Sequence, residues 1–276
     1  MALIETARVG LHYREQGQVD GLPLLLVHGS FGSSRWWEPF LALLPEEFHV
    51  IALDLRGCGQ SEKPATGYTI EEQAEDLWAF VEAIGWDDFD LVGHASGAAI
   101  AIEFTLNYPH RVNTLSLVDP APIEGIFTPL EVIMVLDQLK TDEALLRQAL
   151  ASLMPTYAVD DPAHAAFFAQ LVADAQQMAP AAFTAVAESL NHWNRFGEAK
   201  ALTLPTLLVW GDQDHLVSRD AMTRTLIAIP GANNLEVLRN VGHAPMIEAP
   251  LGLAERLIEF ITEDYAEFEE VRELAE

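Results

Sequence analysis

Residues 91–99 read Leu-Val-Gly-His-Ala-Ser-Gly-Ala-Ala. An apolar, strand-like run enters a Gly-x-Ala-x-Gly turn and leaves into small residues that read as a helix. That is the frame of a nucleophile elbow, whose tip residue sits on a strained strand-to-helix turn. The residues two before and two after the tip must be small, because strand and helix crowd together there. Gly93 and Gly97 fill those positions, and Ala98 and Ala99 continue the small face. The helix starts right after the tip, so its free N–H groups face whatever the tip side chain holds. Such a turn serves a nucleophile and an oxyanion together. Yet the tip is Ala95. A methyl group neither attacks a carbonyl nor shares a proton with a base.

Other residues carry acid–base chemistry. His243 lies in Val241-Gly242-His243-Ala244-Pro245, just before the last helical pattern. It reads either as a base or as a surface residue among the nine histidines of the chain. Gly211-Asp212-Gln213-Asp214 offers two carboxylates, and Asp119 ends a strand-like run. Ser96, one residue past the tip, reads as a helix N-terminal residue whose side chain points along the helix. Gly57-x-Gly59 lacks the third glycine and the strand–helix placement of a dinucleotide fingerprint, so it reads as a turn. No His/Asp/Glu cluster has metal-ligand spacing, so neither a metal nor any cofactor is expected. The single cysteine, Cys58, rules out an intrachain disulfide.

Positioning these groups takes alternating elements. Apolar β-rich runs lie at 22–28, 49–55, 89–94 and 112–119, with helical stretches at 33–43, 70–84 and 96–107. Thr69 followed by Glu72 has capping-box spacing, so a helix starts there. Uninterrupted apolar strands between helices predict a parallel sheet covered on both faces. The alternating segments 3–7 and 11–15 predict an antiparallel edge hairpin. From about 122 to 202 only helical periodicity appears, after which βα alternation resumes at 206–210, 218–229, 234–238 and 251–261. This divides the chain into a core of residues 1–121 and 203–276 and a helical lid of 122–202.

The bulk numbers set the class. Half of the 276 residues are hydrophobic, enough for a sizeable core in one large domain with an insertion. The net charge of −27 repels nucleic acid and anionic membranes, so neither is an expected partner. Part of that charge lies in the tail, 263–276, which reads as a solvated terminal helix. The N-terminal residues lack a basic region followed by an apolar run, and no stretch reaches the ~20 uncharged apolar residues of a membrane span. A soluble cytoplasmic protein is expected, with a homodimer left open.

Five motifs in this order resemble the α/β-hydrolase superfamily, and the likeness covers nearly the whole chain. They are His28-Gly29, Asp54-Leu55-Arg56-Gly57-Cys58-Gly59-Gln60-Ser61, the elbow at Leu91–Gly97, the acid loop at Gly211–Asp214 and the histidine loop at Val241–Pro245. The resemblance implies a mostly parallel eight-stranded sheet flanked by helices, with the lid inserted after the sixth strand. It implies that Ala95 occupies the nucleophile position, where family members carry Ser, Asp or Cys, and that His243 is the base. Asp214 is the orienting acid, ahead of Asp212, which caps the turn, and of Asp119, where some relatives place the acid. The oxyanion donors are the N–H of Ser30, or alternatively Phe31, with that of Ser96. His28 supports that loop, and His94 packs.

Three accounts of Ala95 stay open: a replaced serine, which is preferred, a replaced aspartate of an epoxide-hydrolase-like or dehalogenase-like parent, and a native alanine in a catalytically dead ligand-binding homologue or in an enzyme of divergent chemistry. The run His28-Gly29-Ser30-Phe31-Gly32 lacks the proline that epoxide-hydrolase-like members usually carry, which favours serine. The substrate expected is a mainly hydrophobic small ester or lactone, and this sequence, with its methyl, is expected to be inactive. Trp36, Trp37, Phe127, Met134, Trp193 and Arg195 are the candidate pocket residues, Arg195 also being open to an ordinary salt bridge.

Overall fold

The computed structural model describes residues 2–264. The acidic tail expected as a terminal helix lies outside them from residue 265 onward. Two strands, β1 (Ala2–Glu5) and β2 (Gly10–Gly17), pair antiparallel, as the alternating pattern predicted. Then come β3 (Leu22–Val27), the short α1 (Glu38–Leu41), β4 (Phe48–Leu53), α2 (Ile70–Ile84), β5 (Phe89–His94), α3 (Ser96–Asn107) and β6 (Val112–Val118). Four helices follow: α4 (Leu130–Gln138), α5 (Glu143–Leu153), α6 (Pro162–Gln176) and α7 (Ala182–Leu190). The alternation resumes with β7 (Thr206–Gly211), α8 (Arg219–Ala228), β8 (Ala232–Leu238), α9 (Pro245–Glu248) and α10 (Pro250–Glu259).

The strand order across the eight-stranded sheet is β1-β2-β4-β3-β5-β6-β7-β8, with β3 to β8 parallel and β2 joining β4 antiparallel. Every residue of β4, β5 and β7 is buried, as continuous apolar runs require when helices cover both faces. The capping box is present: the Thr69 hydroxyl accepts from Glu72 N–H and Glu72 Oε2 accepts from Thr69 N–H, each at 3.1 Å. The strand expected to run to Leu55 stops at Leu53. Asp54 ends it by accepting from the N–H groups of Ser34 at 2.6 Å and Gln60 at 2.9 Å and pairing with His12 at 2.7 Å. Burial alone works to raise the Asp54 pKa, but these three donors outweigh it and hold the carboxyl at about 2.

The segment between β6 and β7 is tied to the elements flanking the sheet at several points. Asp174 on α6 accepts from Ser33 Oγ and Arg35 Nε, both at 2.8 Å. Buried Glu103 on α3 accepts from Trp193 Nε1 at 3.0 Å and Arg195 Nε at 2.7 Å. Helix α4 differs: it contains no buried residue, and Leu130, Met134 and Val135 stand exposed on it. Among the described residues no helix is long and apolar enough to cross a membrane.

Candidate active site

The elbow forms as the glycine spacing demands. β5 ends at His94, Ala95 takes φ 52° and ψ −119°, and α3 begins at Ser96. A Cβ on Gly93 would lie 2.6 Å from the Cα of Ala98, and one on Gly97 would lie 2.3 Å from the His28 carbonyl oxygen, so only glycine fits either side of the tip. The strained tip is pinned by backbone alone. Ala95 N–H donates to the Val118 carbonyl at 3.0 Å, and its own carbonyl accepts from Ala98 at 3.1 Å and Ala121 at 3.0 Å. No side chain at 95 is needed to hold the turn.

The loops after β7 and β8 bring acid and imidazole together. His243 Nδ1–H donates to Asp214 Oδ2 at 2.8 Å, and both residues are buried. Asp214 Oδ1 accepts from the N–H groups of Leu216 at 2.7 Å and Val217 at 3.1 Å. Burial pushes the Asp214 pKa up, but the hydrogen bond and charge of His243 with the two N–H donors prevail and lower it, so it is a carboxylate at neutral pH. The histidine backbone is fixed as well. His243 N–H donates to the Leu153 carbonyl at 2.9 Å, and the His243 carbonyl accepts from His94 Nε2–H at 2.7 Å. Burial, then the neighbouring His243, lower His94 to about 3, so it stays neutral.

Asp119 is fully buried at the end of β6, with φ 41°, and its Oδ1 accepts from Gly211 N–H at 2.9 Å. Ligand-type atoms of Asp119, Asp214 and His243 lie within 4.8 Å of one another, a grouping that positions 119, 214 and 243 do not reveal in the sequence. Two of those groups are already hydrogen-bonded to each other. Burial, then the Asp214 charge, raise the Asp119 pKa well above its ordinary value, the opposite direction to its neighbour Asp214.

On the oxyanion side the structure separates two expectations. Ser30 N–H donates to Ser96 Oγ at 2.9 Å, and the two serine hydroxyls lie 3.0 Å apart. The Ser30 amide is therefore occupied and is corrected as an oxyanion donor, because the neighbouring hydroxyl captures it. The amides of Phe31 and Ser96 have no protein acceptor among the described residues, and both residues line the cavity. His28 supports the loop: its Nε2 accepts from Leu55 N–H at 3.1 Å and its Nδ1–H donates to the Gly29 carbonyl at 2.7 Å.

Above the tip lies a cavity of about 260 Å³ whose lining includes Ala95, Ser96, His243, Ser30 and Phe31. Ile126, Val132, Leu136, Leu150, Leu153 and Leu216 supply apolar wall, and no charged side chain lines it among the described residues. The six candidate pocket residues all fall elsewhere. Trp36 and Trp37 are buried in the core, Trp36 beneath His94 with ring centroids 5.9 Å apart. Phe127, 81% exposed, and Met134, 58% exposed, point to solvent, although Ile126 and Thr128 beside the first and Val132 and Leu136 on the helix of the second line the cavity. Trp193 is spent on Glu103, and Arg195 forms ion pairs with Glu103 and Glu71 instead of facing a substrate.

Phase, more than side-chain size, identifies the wall. Val132, Leu136 and Leu139 recur at i, i+4 and i+7, and Leu146, Ala149, Leu150 and Leu153 do the same on α5. On α4 this signal is masked because apolar Leu130, Ile133, Met134 and Val135 flank the same stripe and leave only Glu131, Asp137 and Gln138 polar. Glu248 was also missed. Its Oε1 accepts from Ala244 N–H at 3.1 Å, and its Oε2 accepts from the N–H and hydroxyl of Thr156 at 3.0 and 2.6 Å. It thereby joins the histidine loop to the residues just after α5.

The model of the alpha/beta hydrolase fold matches residues 23–250. Lipase 1 of Psychrobacter immobilis is 30% identical over 248 residues, covering 86% of this chain and 76% of its own. Among solved structures, the enol-lactonase from Burkholderia xenovorans superposes with a TM-score of 0.84 over 95% of this chain and 100% of its own, at 19% identity, a likeness of fold. Est816, described as an N-acyl homoserine lactone degrading enzyme, superposes at 0.78 with 27% identity, covering 94% of this chain and 100% of its own.

Proposed function

Because the chain belongs to the alpha/beta hydrolase fold family, we propose that its cavity is the substrate site of a carboxylic ester or lactone hydrolase. The supporting observation is one wall of that cavity: it carries the elbow tip, an imidazole bonded to a buried carboxylate, and two unengaged amides. Residue 95 is the nucleophile position, His243 the base, Asp214 the orienting acid, and the amides of Phe31 and Ser96 the oxyanion donors. Residues 122–202 serve as the lid, over a core of 1–121 and 203–276. The uncharged, apolar wall favours a small hydrophobic acyl or lactone group. Relatives named as a lipase and as a lactone-degrading enzyme support that substrate class.

With a methyl at 95 the acyl-enzyme route is closed. Ala95→Ser restores an attacking oxygen on a turn already formed, and turnover of short p-nitrophenyl esters or lactones is expected to rise about 10³-fold or more over the unmodified chain. A folded Ala95→Ser protein with no gain on any ester or lactone would count against the reading. Ala95→Asp, assayed on epoxides and alkyl halides, tests the aspartate alternative in the same experiment.

A further inference from the structure

The acid–base machinery is complete in a chain that has no alcohol at the tip. The imidazole of His243 is oriented through Nδ1 by Asp214, and its loop is held at the backbone by Leu153 and His94. Its Nε2 has no protein partner among the described residues, and the ring lines the same cavity as Ala95. Two alcohols of the wall, Ser30 and Ser96, bond to each other, and Ser96 Oγ also holds the Ser30 amide. Neither hydroxyl, nor any other among the described residues, is hydrogen-bonded to His243 Nε2, so none of them is poised for the base.

We propose that this chain hydrolyses an ester or lactone by direct attack of a solvent water that His243 deprotonates, with no covalent enzyme intermediate. The proposal rests on the ester-site reading above. As the water oxygen bonds to the carbonyl carbon, one water proton passes to His243 Nε2. The carbonyl electron pair moves onto its oxygen, which the Phe31 and Ser96 amides stabilise. The tetrahedral species then collapses. Its C–O bond to the leaving oxygen breaks, and that oxygen takes the proton back from Nε2. One water is consumed, and the products are an acid and an alcohol, or one hydroxy acid from a lactone. The methyl of Ala95 is smaller than a hydroxymethyl group by one oxygen, which leaves space for the attacking water between the imidazole and the carbonyl. Asp214, held as a carboxylate, steadies the imidazolium that forms.

The test uses the full chain with p-nitrophenyl butyrate and a γ-lactone, beside Ala95→Ser, His243→Ala and His243→Gln. Thermal shift reads ligand binding and circular dichroism checks each fold. The unmodified chain is expected to exceed the buffer rate without a pre-steady-state burst and without a mass increase on the protein. His243→Ala should lose about 10²-fold or more of that rate, and added imidazole should restore part of it, a rescue that a purely structural role would not give. An acyl adduct on Ser96 or Ser30 overturns direct water attack in favour of a hydroxyl nucleophile. An unmodified chain no faster than His243→Gln, beside an active Ala95→Ser, overturns it and leaves the ester-site reading standing. If Ala95→Ser is also inert and no ester or lactone shifts the melting temperature, both fail.

Discussion

On the acid–base side of the site, Asp214 gives both oxygens to three donors and His243 is fixed at ring, amide and carbonyl. On the tip side, a positive-φ alanine is held only by main-chain bonds to β6 and α3 and presents a methyl. A non-glycine residue in such a conformation costs on the order of 1–3 kcal/mol, and here the surrounding backbone over-determines it. The contrast separates scaffold from chemistry. The turn belongs to the packing of β5, β6 and α3 and draws on no hydrogen bond from the side chain at 95. The imidazole owes its orientation to the Asp214 side chain, and its loop is held by His94 and the Leu153 carbonyl.

Substitutions on the acid–base side should therefore cost far more than substitutions around the roof. In an Ala95→Ser chain, Asp214→Asn should lower kcat about 10³-fold or more, because the amide can donate to Nδ1 and favour the wrong tautomer. A loss under tenfold would mean that Asp119 can take over as the acid.

Glu248→Gln in the same background should lower kcat about tenfold with little change in KM, through loosened placement of the histidine loop. Hydrogen exchange at the Thr156 and Ala244 amides, both held by Glu248, should quicken. Unchanged exchange at both amides would remove the link between that loop and the end of α5.

Asp119 and Asp214 should respond to pH with opposite signs. Asp214, lowered in the fold, contributes stability that is present above its unfolded pKa and lost as pH falls through the folded one. Asp119, raised in the fold, contributes stability that is present below its unfolded pKa and lost as pH rises through the folded one. Asp119→Asn should flatten the loss of thermal stability as pH rises above the ordinary carboxylate range and change turnover in the Ala95→Ser chain less than about tenfold. An unaltered loss over that rise in pH would contradict the upward shift of Asp119.

The smallest effects belong to the outer face of the roof. Phe127→Ser and Met134→Ser should leave kcat/KM for a soluble ester within about twofold, since both side chains face solvent. A larger drop would show that α4 turns over in the working enzyme.

Much of the sheet and of the acid–base pair was legible. Alternation marked β1 and β2 as a hairpin, continuous apolar runs marked the buried strands, and the glycines around Ala95 marked the elbow. Choosing pocket residues by aromatic size failed, because Trp36 and Trp37 satisfy the core and Phe127 is turned outward. The Ser30 amide looked available until Ser96 Oγ was seen to take it, a contact across 66 positions.

What the sequence determined by itself was local: strand periods, a cap, and a turn only small residues can make, since these depend on neighbours along the chain. Tertiary structure alone decided which amide stays unengaged, which face of α4 meets the cavity, and that Asp119 lies buried beside Asp214 with its pKa raised. Those outcomes depend on which distant groups exclude water and compete for the same donor, and linear order does not encode that proximity.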